Sequence, residues 1–451
     1  MSTHTLTVDE LRSAVASLMP ELRADLEAMV RIPSCAFEGF PREPVQAAAQ
    51  ETMRLFTDAG LTAELLPIEG GEPAVVARGG SGAQRVLLYA HYDVQPAGDL
   101  DAWHTPPFEP TLRDGRLYGR GAADDKSGIV MHVGALKALR QALGSVPVQV
   151  MTLIEGEEEC GGPLPHFVME HPDVVEADAI IIADVGNRAV GEPTFVTALR
   201  GLVDCIVEVR TLPRPAHSGM YGGPAPDALL ALIRILDTLR DERGDTTIIP
   251  GYAWQGAQAD EAEFREELGM RPDQSLLGTG PLTDRLVTRP AVSVIGLDAP
   301  AVEGAINAVV PYARAKVSMR VPPGTDTQAA MDALCAHLES AAPWGIDVVV
   351  TPGEQGRGCA IGTDGPAYAA ARWAMETAFG KQSEETGEGG SIPLVAALLD
   401  VAPHAEVLLI GAEDPAALIH APNESVDLGE LEHMVLAEAL FLAKLGGAID
   451  G

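Results

Sequence analysis

Apolar positions recur along this chain with two different periods, and the alternation between them lays out the fold. Leu11, Val15, Leu18, Leu22, Leu26 and Met29 fall at helical spacing, which gives a long opening helix one apolar face. Thr7-Val-Asp-Glu10 stands at its start as a capping box, in which hydroxyl and carboxylate satisfy backbone N–H groups that a first turn leaves unpaired. Short continuous apolar runs follow at 74–77, 86–90, 148–154 and 179–183, with a helical stretch at 127–143 among them. Alternation of that kind predicts an α/β domain with a mostly parallel sheet.

Near residue 196 the texture changes. Segments 195–199 and 203–209 read as strands, 226–239 as an amphipathic helix, 309–321 as a strand, 331–338 as a second helix and 346–351 as a closing strand. Two helices among several strands predict an α+β module of split βαβ, ferredoxin-like character. From about residue 363 the first pattern resumes. The expected organisation is therefore one domain made of residues 1–195 and 356–451, with residues 196–355 inserted into it.

Length and charge narrow the picture. At 451 residues and 46% apolar content the chain has material for two cores, since single domains run to about 100–200 residues. Lys+Arg 31 against Asp+Glu 65 gives a formal charge of -34, which argues against nucleic acid or an anionic membrane as partner. The five cysteines are scattered, odd in number and without CxxC spacing, so neither a disulfide framework nor a thiolate zinc site is expected, and a reducing cytoplasm fits. Asp9, Glu10 and Arg12 occupy the amino-terminal region without a long apolar core, so no signal peptide is expected, and no apolar run reaches the ~20 residues that span a bilayer.

The candidate chemistry sits where the apolar runs end. His91-Tyr-Asp93-Val-Gln-Pro follows the run 86–90, so an imidazole and a carboxylate arrive together at a strand's carboxyl end, where open α/β sheets place their ligands. Four further segments carry acids or His in Gly-rich or strand-end positions: Gly119-Arg-Gly-Ala-Ala-Asp124-Asp125-Lys-Ser-Gly128, Glu155-Gly-Glu-Glu158-Glu159-Cys-Gly161, Ala183-Asp184-Val, and His420-Ala-Pro-Asn423-Glu424. A parallel sheet gathers such segments on one edge. Two divalent ions carry four positive charges, and three ligand carboxylates would leave a residual positive charge to polarise a carbonyl and acidify water. Each signal alone is weaker than the set. His91 by itself reads more readily as a structural histidine than as a ligand, Asp184 has little motif around it, and a slip of one register would exchange Glu158 for Glu157.

Taken together, His-Tyr-Asp-Val-Gln-Pro, Tyr118-Gly-Arg-Gly-x-x-Asp-Asp-Lys and Glu-Gly-x-Glu-Glu-x-Gly resemble the dinuclear metallopeptidases that include carnosinase, aminoacylase and succinyl-diaminopimelate desuccinylase. The resemblance covers nearly the whole chain, and the first motif looks most like the dipeptidase branch. It implies that Asp124 bridges two metals, that His91 and Asp184 complete one and Glu159 and His420 the other, and that Glu158 is the general base. Asp93 would orient His91 and fix its tautomer. A cis peptide between Asp124 and Asp125 is implied as well.

In the inserted module, Pro215-Ala-His217-Ser-Gly resembles the segment whose His reaches the active site of a dimer partner. Ser318-Met-Arg320-Val-Pro resembles the strand whose Arg holds the substrate's terminal carboxylate, and Glu388-Gly-Gly390-Ser391-Ile-Pro a Gly-rich substrate loop. Two departures stand beside ligands: Ser127 where many carnosinase-like members have Gly, and Ala421-Pro422 after His420 in place of Ser and a variable residue. The reading is a cytoplasmic metal-dependent dipeptidase, homodimeric through the inserted lid domain, acting on dipeptides with a free C-terminal carboxylate. The resemblance implies two divalent ions per subunit, zinc foremost, with manganese or cobalt also suited to these ligands. The alternative is an N-acyl amino acid deacylase of the aminoacylase or desuccinylase type.

Overall fold

The opening helix runs Val8–Val30, and Thr7 caps it as the capping box requires. Thr7 Oγ1 accepts from the Glu10 N–H at 3.3 Å, and the Glu10 carboxylate accepts from the Thr7 N–H at 2.9 Å. Its apolar face, Leu11 to Met29, is buried against the helices Lys126–Leu143 and Leu428–Leu445. The computed structural model describes residues 5–390 and 392–450; Ser391 lies outside the described residues.

The chain divides into two compact units. One comprises the residues up to Thr197, Ile361–Thr386 and the chain from Leu394 onward; the other comprises Ala198–Ala360 with Gly387–Pro393.

In the first unit the strands follow the order Thr62–Leu66, Ala74–Gly80, Gln149–Glu155, Arg85–His91, Ala179–Ile182, Glu406–Leu409 and Thr194–Leu199, the last two residues of which are counted with the second unit. The sheet is mixed. Its centre, from Gln149–Glu155 to Glu406–Leu409, is parallel, while Thr62–Leu66, Ala74–Gly80 and Thr194–Leu199 pair antiparallel on the flanks. A short connection such as the one between Thr62–Leu66 and Ala74–Gly80 can make only an antiparallel pair, whereas parallel neighbours need a long crossover. The central strands are apolar on both faces: Val86 to Ala90 and Ala179 to Ile182 are buried throughout, as a sheet covered on both sides demands. Register aligns their carboxyl ends, with His91 opposite Glu155 and Ile182 opposite both Tyr89 and Leu409. That edge is where the chemistry-bearing segments emerge.

The second unit holds an antiparallel sheet in the order Ala291–Asp298, Tyr312–Val321, Gly201–Arg210, Asp347–Gly356. Helices Ala228–Asp237 and Thr327–Ser340 pack on it. Val203, Cys205, Val207 and Val209 alternate inward with Ala313, Ala315, Val317 and Met319, the period-two pattern of a half-buried sheet. Counted along the chain, the spatial order is second, third, first, fourth, with a helix in each crossover, which is the split βαβ arrangement. The strand Ala291–Asp298 and the helix Glu261–Glu267 are elements the periodicity did not announce. Among the described residues, no helix is long and apolar enough to cross a membrane.

Candidate metal centre

His91 closes its strand fully buried, and its ring is fixed at both nitrogens. Nδ1 lies 3.1 Å from the Asp93 carbonyl oxygen, while Nε2 lies 2.9 Å from Asp124 Oδ1 and 3.5 Å from Asp184 Oδ1. A carbonyl only accepts, so Nδ1 carries a proton and Nε2 is the nitrogen turned toward the two carboxylates; burial opposes a charged ring, but hydrogen bonds to Asp124 and Asp184 raise it well above the ordinary imidazole range. His420 mirrors this arrangement. Its Nε2 stands 2.9 Å from Asp124 Oδ2 and 3.2 Å from Glu159 Oε2. The Asp124 carboxylate thus lies between two imidazoles, one at each oxygen. Lone pairs converging from imidazole and carboxylate are the donor set of a divalent cation with N and O ligands.

Among the described residues, ligand-type atoms within 4.8 Å of one another form three groups: Asp124 with Glu159 and His420, His91 with Asp125 and Asp184, and Asp124 with Asp184 and Glu413. The residues therefore fit two cations sharing Asp124. Charge agrees with this. Burial, reinforced by the neighbouring Asp184, Glu155 and Glu159 and opposed by His91, raises the Glu158 carboxyl well above its ordinary range. Burial also raises Asp184 and Glu159, and pushes Glu155 up to about 8. Asp124 goes the other way: burial opposes its ionisation, but hydrogen bonds with His420 and His91 hold it below the usual carboxylate range. Added positive charge is what such a set of buried acids lacks.

The scaffold around these groups is built from backbone N–H donors. Asp93 does more than hold His91, because its carboxylate accepts from the N–H groups of Glu158 and Glu159, both at 3.1 Å. Its own carboxylate is 3.4 Å from His91 Nδ1, so the carbonyl is the nearer partner of the ring. Gln95 then fixes Glu159 through its N–H at 3.1 Å and its side-chain amide at 2.8 Å. The Asp124–Asp125 peptide is cis. Asp125 caps the helix Lys126–Leu143, accepting from Gly128 N–H and from His91 N–H, each at 3.1 Å. Ser127 is accommodated there, its hydroxyl donating to the Ala123 carbonyl at 2.8 Å.

Glu424 is the hub of the loop that carries Asp124. Fully buried, it accepts from Arg120 Nη1 at 2.6 Å and from the N–H groups of Gly121, Ala123 and Asp124 at 3.0 to 3.1 Å. His420 itself has φ 61°, and Leu418 and Asn423 are also left-handed, a conformation that non-glycine residues adopt where surroundings over-determine it. Asn423 supplies part of that constraint, accepting from His104 N–H at 2.7 Å and donating to the Ala102 carbonyl at 3.0 Å.

Thus His91, Asp93, Asp124, Glu158, Glu159, Asp184 and His420 gather in the first unit. Glu157 does not join them: its carboxylate accepts from Arg42 at 2.9 Å and from Glu72 N–H at 2.9 Å. His217, Arg320 and Gly390 belong to the second unit. There His217 is exposed at the end of the short strand Ala216–His217, opposite Ala308, and Arg320 is half-buried on Tyr312–Val321, opposite Leu202. Gly390 is exposed, with open space where a Cβ would stand. Three residues to which the motifs gave no part in the chemistry bear on the centre: Asp125 and Glu424, which stand inside the quoted segments, and Glu413, which does not. Glu413 had one available signal, an acid in a Gly-containing turn just after the apolar strand Glu406–Leu409.

Residues 87–444 match the family model of peptidase family M20/M25/M40. A cysteinylglycine-S-conjugate dipeptidase from Corynebacterium striatum is 40% identical over 372 residues, 81% of this chain and 82% of that protein. The Homo sapiens beta-Ala-His dipeptidase is 28% identical over 396 residues, 82% of this chain and 77% of its own length. Human carnosine dipeptidase 1 superposes with a TM-score of 0.80 at 25% identity, covering 96% of this chain and 98% of that one. The dipeptidase Dug1p from Saccharomyces cerevisiae shares the fold, with a TM-score of 0.83 over 98% of this chain and 99% of its own, at 21% identity.

Proposed function

This chain belongs to peptidase family M20/M25/M40 and is a metallopeptidase; from that premise we propose that it hydrolyses dipeptides with a free C-terminal carboxylate, using a pair of divalent cations shared by Asp124. The observation that carries the reading is the Asp124 carboxylate with an imidazole Nε2 at 2.9 Å from each of its oxygens. His91 and Asp184 would hold one cation, Glu159 and His420 the other. When bound, the cations supply Lewis acidity that polarises the scissile carbonyl and makes water easier to deprotonate.

The remaining work falls to side chains. Glu158 takes a proton from the attacking water on its carboxylate and returns it to the departing amine nitrogen. It is suited to the exchange because burial and the neighbouring acids favour its protonated form, and because Glu157 is committed to Arg42 and Glu72. Asp93 positions both actors: it grips the N–H groups of Glu158 and Glu159 and directs His91 through its carbonyl. Arg320 would bind the substrate's carboxylate through a planar guanidinium, with Gly390 and Ser391 in the substrate loop and His217 contacting substrate from a dimer partner.

The proposed dimer is a second copy of this chain met through the second unit, whose edge strand Ala291–Asp298 leaves Val294, Ile295 and Leu297 exposed. Zinc is the expected ion, with manganese and cobalt chemically admissible. The five cysteines are all free thiols, which supports a cytoplasmic setting.

The test is hydrolysis by chelator-stripped protein resupplied separately with Zn²⁺, Mn²⁺ and Co²⁺, offered free dipeptides beside N-acyl amino acids. Metal-dependent cleavage of the dipeptides is the expected result. Cleavage of the acylated amino acids alone would overturn the reading in favour of a deacylase.

A further inference from the structure

Arg200 stands immediately before the strand Gly201–Arg210, within the second unit, and nothing in the reading so far uses it. Its guanidinium is buried at Nε and Nη1, and among the described residues neither atom has a hydrogen-bond partner. No aromatic ring is stacked on it among the cation–π pairs of the described residues. A buried guanidinium without an acceptor is costly, so a native one ordinarily has an anion to meet.

The neighbour that gives this cation a context is Arg320. Arg320 pairs in register with Leu202, two residues beyond Arg200, so the two arginines stand at the same end of the sheet. The two are close enough to repel: burial first, and then the Arg320 charge, lower the Arg200 guanidinium to about 10. The Gly-rich loop closes on the same group. Arg200 N–H donates to the Glu388 carbonyl at 3.2 Å, and a Cβ on Gly389 would stand 2.6 Å from Arg200 Nη2. A side chain at that position would have to displace the guanidinium from where it stands.

Two adjacent guanidinium groups, one of them short of acceptors, beside a loop pared to backbone, describe a receptor for a carboxylate. We propose that Arg200 is a second cation of the carboxylate subsite, acting with Arg320 to select peptides that end in a free carboxylate over those that end in an amide. This rests on the dipeptidase reading and on the assignment of Arg320 within it.

The test compares the metal-loaded wild type with Arg200→Gln and Arg200→Lys. Each is titrated calorimetrically with a dipeptide isostere whose peptide bond is replaced by CH2–NH, once as the free acid and once as the C-terminal amide. The wild type should prefer the acid, Arg200→Gln should lower that preference by roughly tenfold or more, as loss of a charge-assisted contact implies, and Arg200→Lys should restore part of it. Equal weakening toward acid and amide, or an unchanged preference, would overturn the proposal. Because no turnover is needed, the result stands whether or not the wild type hydrolyses dipeptides, a failure that would count against the reaction alone. Should Arg200→Gln not fold, the partial loss expected of Arg200→Lys decides in the same way.

Discussion

Arg85–His91 and Ala291–Asp298 are both short apolar strands, and the molecule treats them in opposite ways. The first is internal to its sheet, paired on both sides and buried from Val86 to His91. The second is the edge of the other sheet, and Val294, Ile295 and Leu297 are 45%, 58% and 53% exposed. Apolar content does not distinguish them. What distinguishes them is whether the chain covers its own strand, and the consequences differ. A strand sealed by its neighbours can hold His91 rigidly at its end among buried acids, whereas an open edge with apolar side chains offers a surface and backbone groups to another molecule.

The sharpest way to break this comparison is through the rigid end. Glu158→Gln keeps the shape of the sealed site and removes the proton acceptor, so hydrolysis should fall by roughly 10²–10⁴-fold while metal content, measured by mass spectrometry of the purified protein, stays at the wild-type level. Glu157→Gln should lower activity far less. An active Glu158→Gln beside an inactive Glu157→Gln would move the base by one residue.

Next in size is the support beneath the site. Glu424→Gln leaves buried Arg120 without its counter-charge and loosens the loop of Asp124. Loss of one partner of a buried pair costs about 3–5 kcal/mol, which denaturant unfolding would register. Metal affinity should drop about 10–100-fold, as for residues that orient ligands. An unchanged unfolding midpoint would mean that the loop is held by other contacts.

The smallest effect on the fold is expected at the open edge. The double variant Ile295→Lys, Leu297→Lys places charge where both side chains are solvated, so the chain itself should lose no more than about 0.5 kcal/mol for each substitution. Sedimentation should nevertheless show a dimer becoming a monomer. A wild type that sediments as a monomer would remove the proposed role of that edge.

The same contrast explains what could be read from residue order. The capping box at Thr7, the strands around 86–90, 148–154 and 179–183, and the two helices of the second unit were legible because periodicity and turn chemistry are local. The strand Ala291–Asp298 was not, because an edge strand with exposed apolar side chains has neither the alternation of a half-buried strand nor the continuity of a sealed one. At the centre, His91, Asp124, Glu159 and His420 were legible through motif register. Glu413 was not, since it reaches Asp124 and Asp184 only through the parallel pairing of Leu409 with Ile182, a relation that no spacing along the chain expresses. Arg200 escaped for a related reason, and Glu424 stood in a quoted segment without a role: the importance of each lies in which buried groups surround it.

The central claim, that the Asp124 cluster holds two cations which together support hydrolysis, is tested most directly by titrating metal into stripped protein while counting bound ions and measuring dipeptide cleavage. Activity should rise to a plateau at two equivalents per chain in the wild type, and Asp124→Asn should bind less metal and show no plateau. Full activity in the stripped protein, or wild-type metal content in Asp124→Asn, would contradict the account.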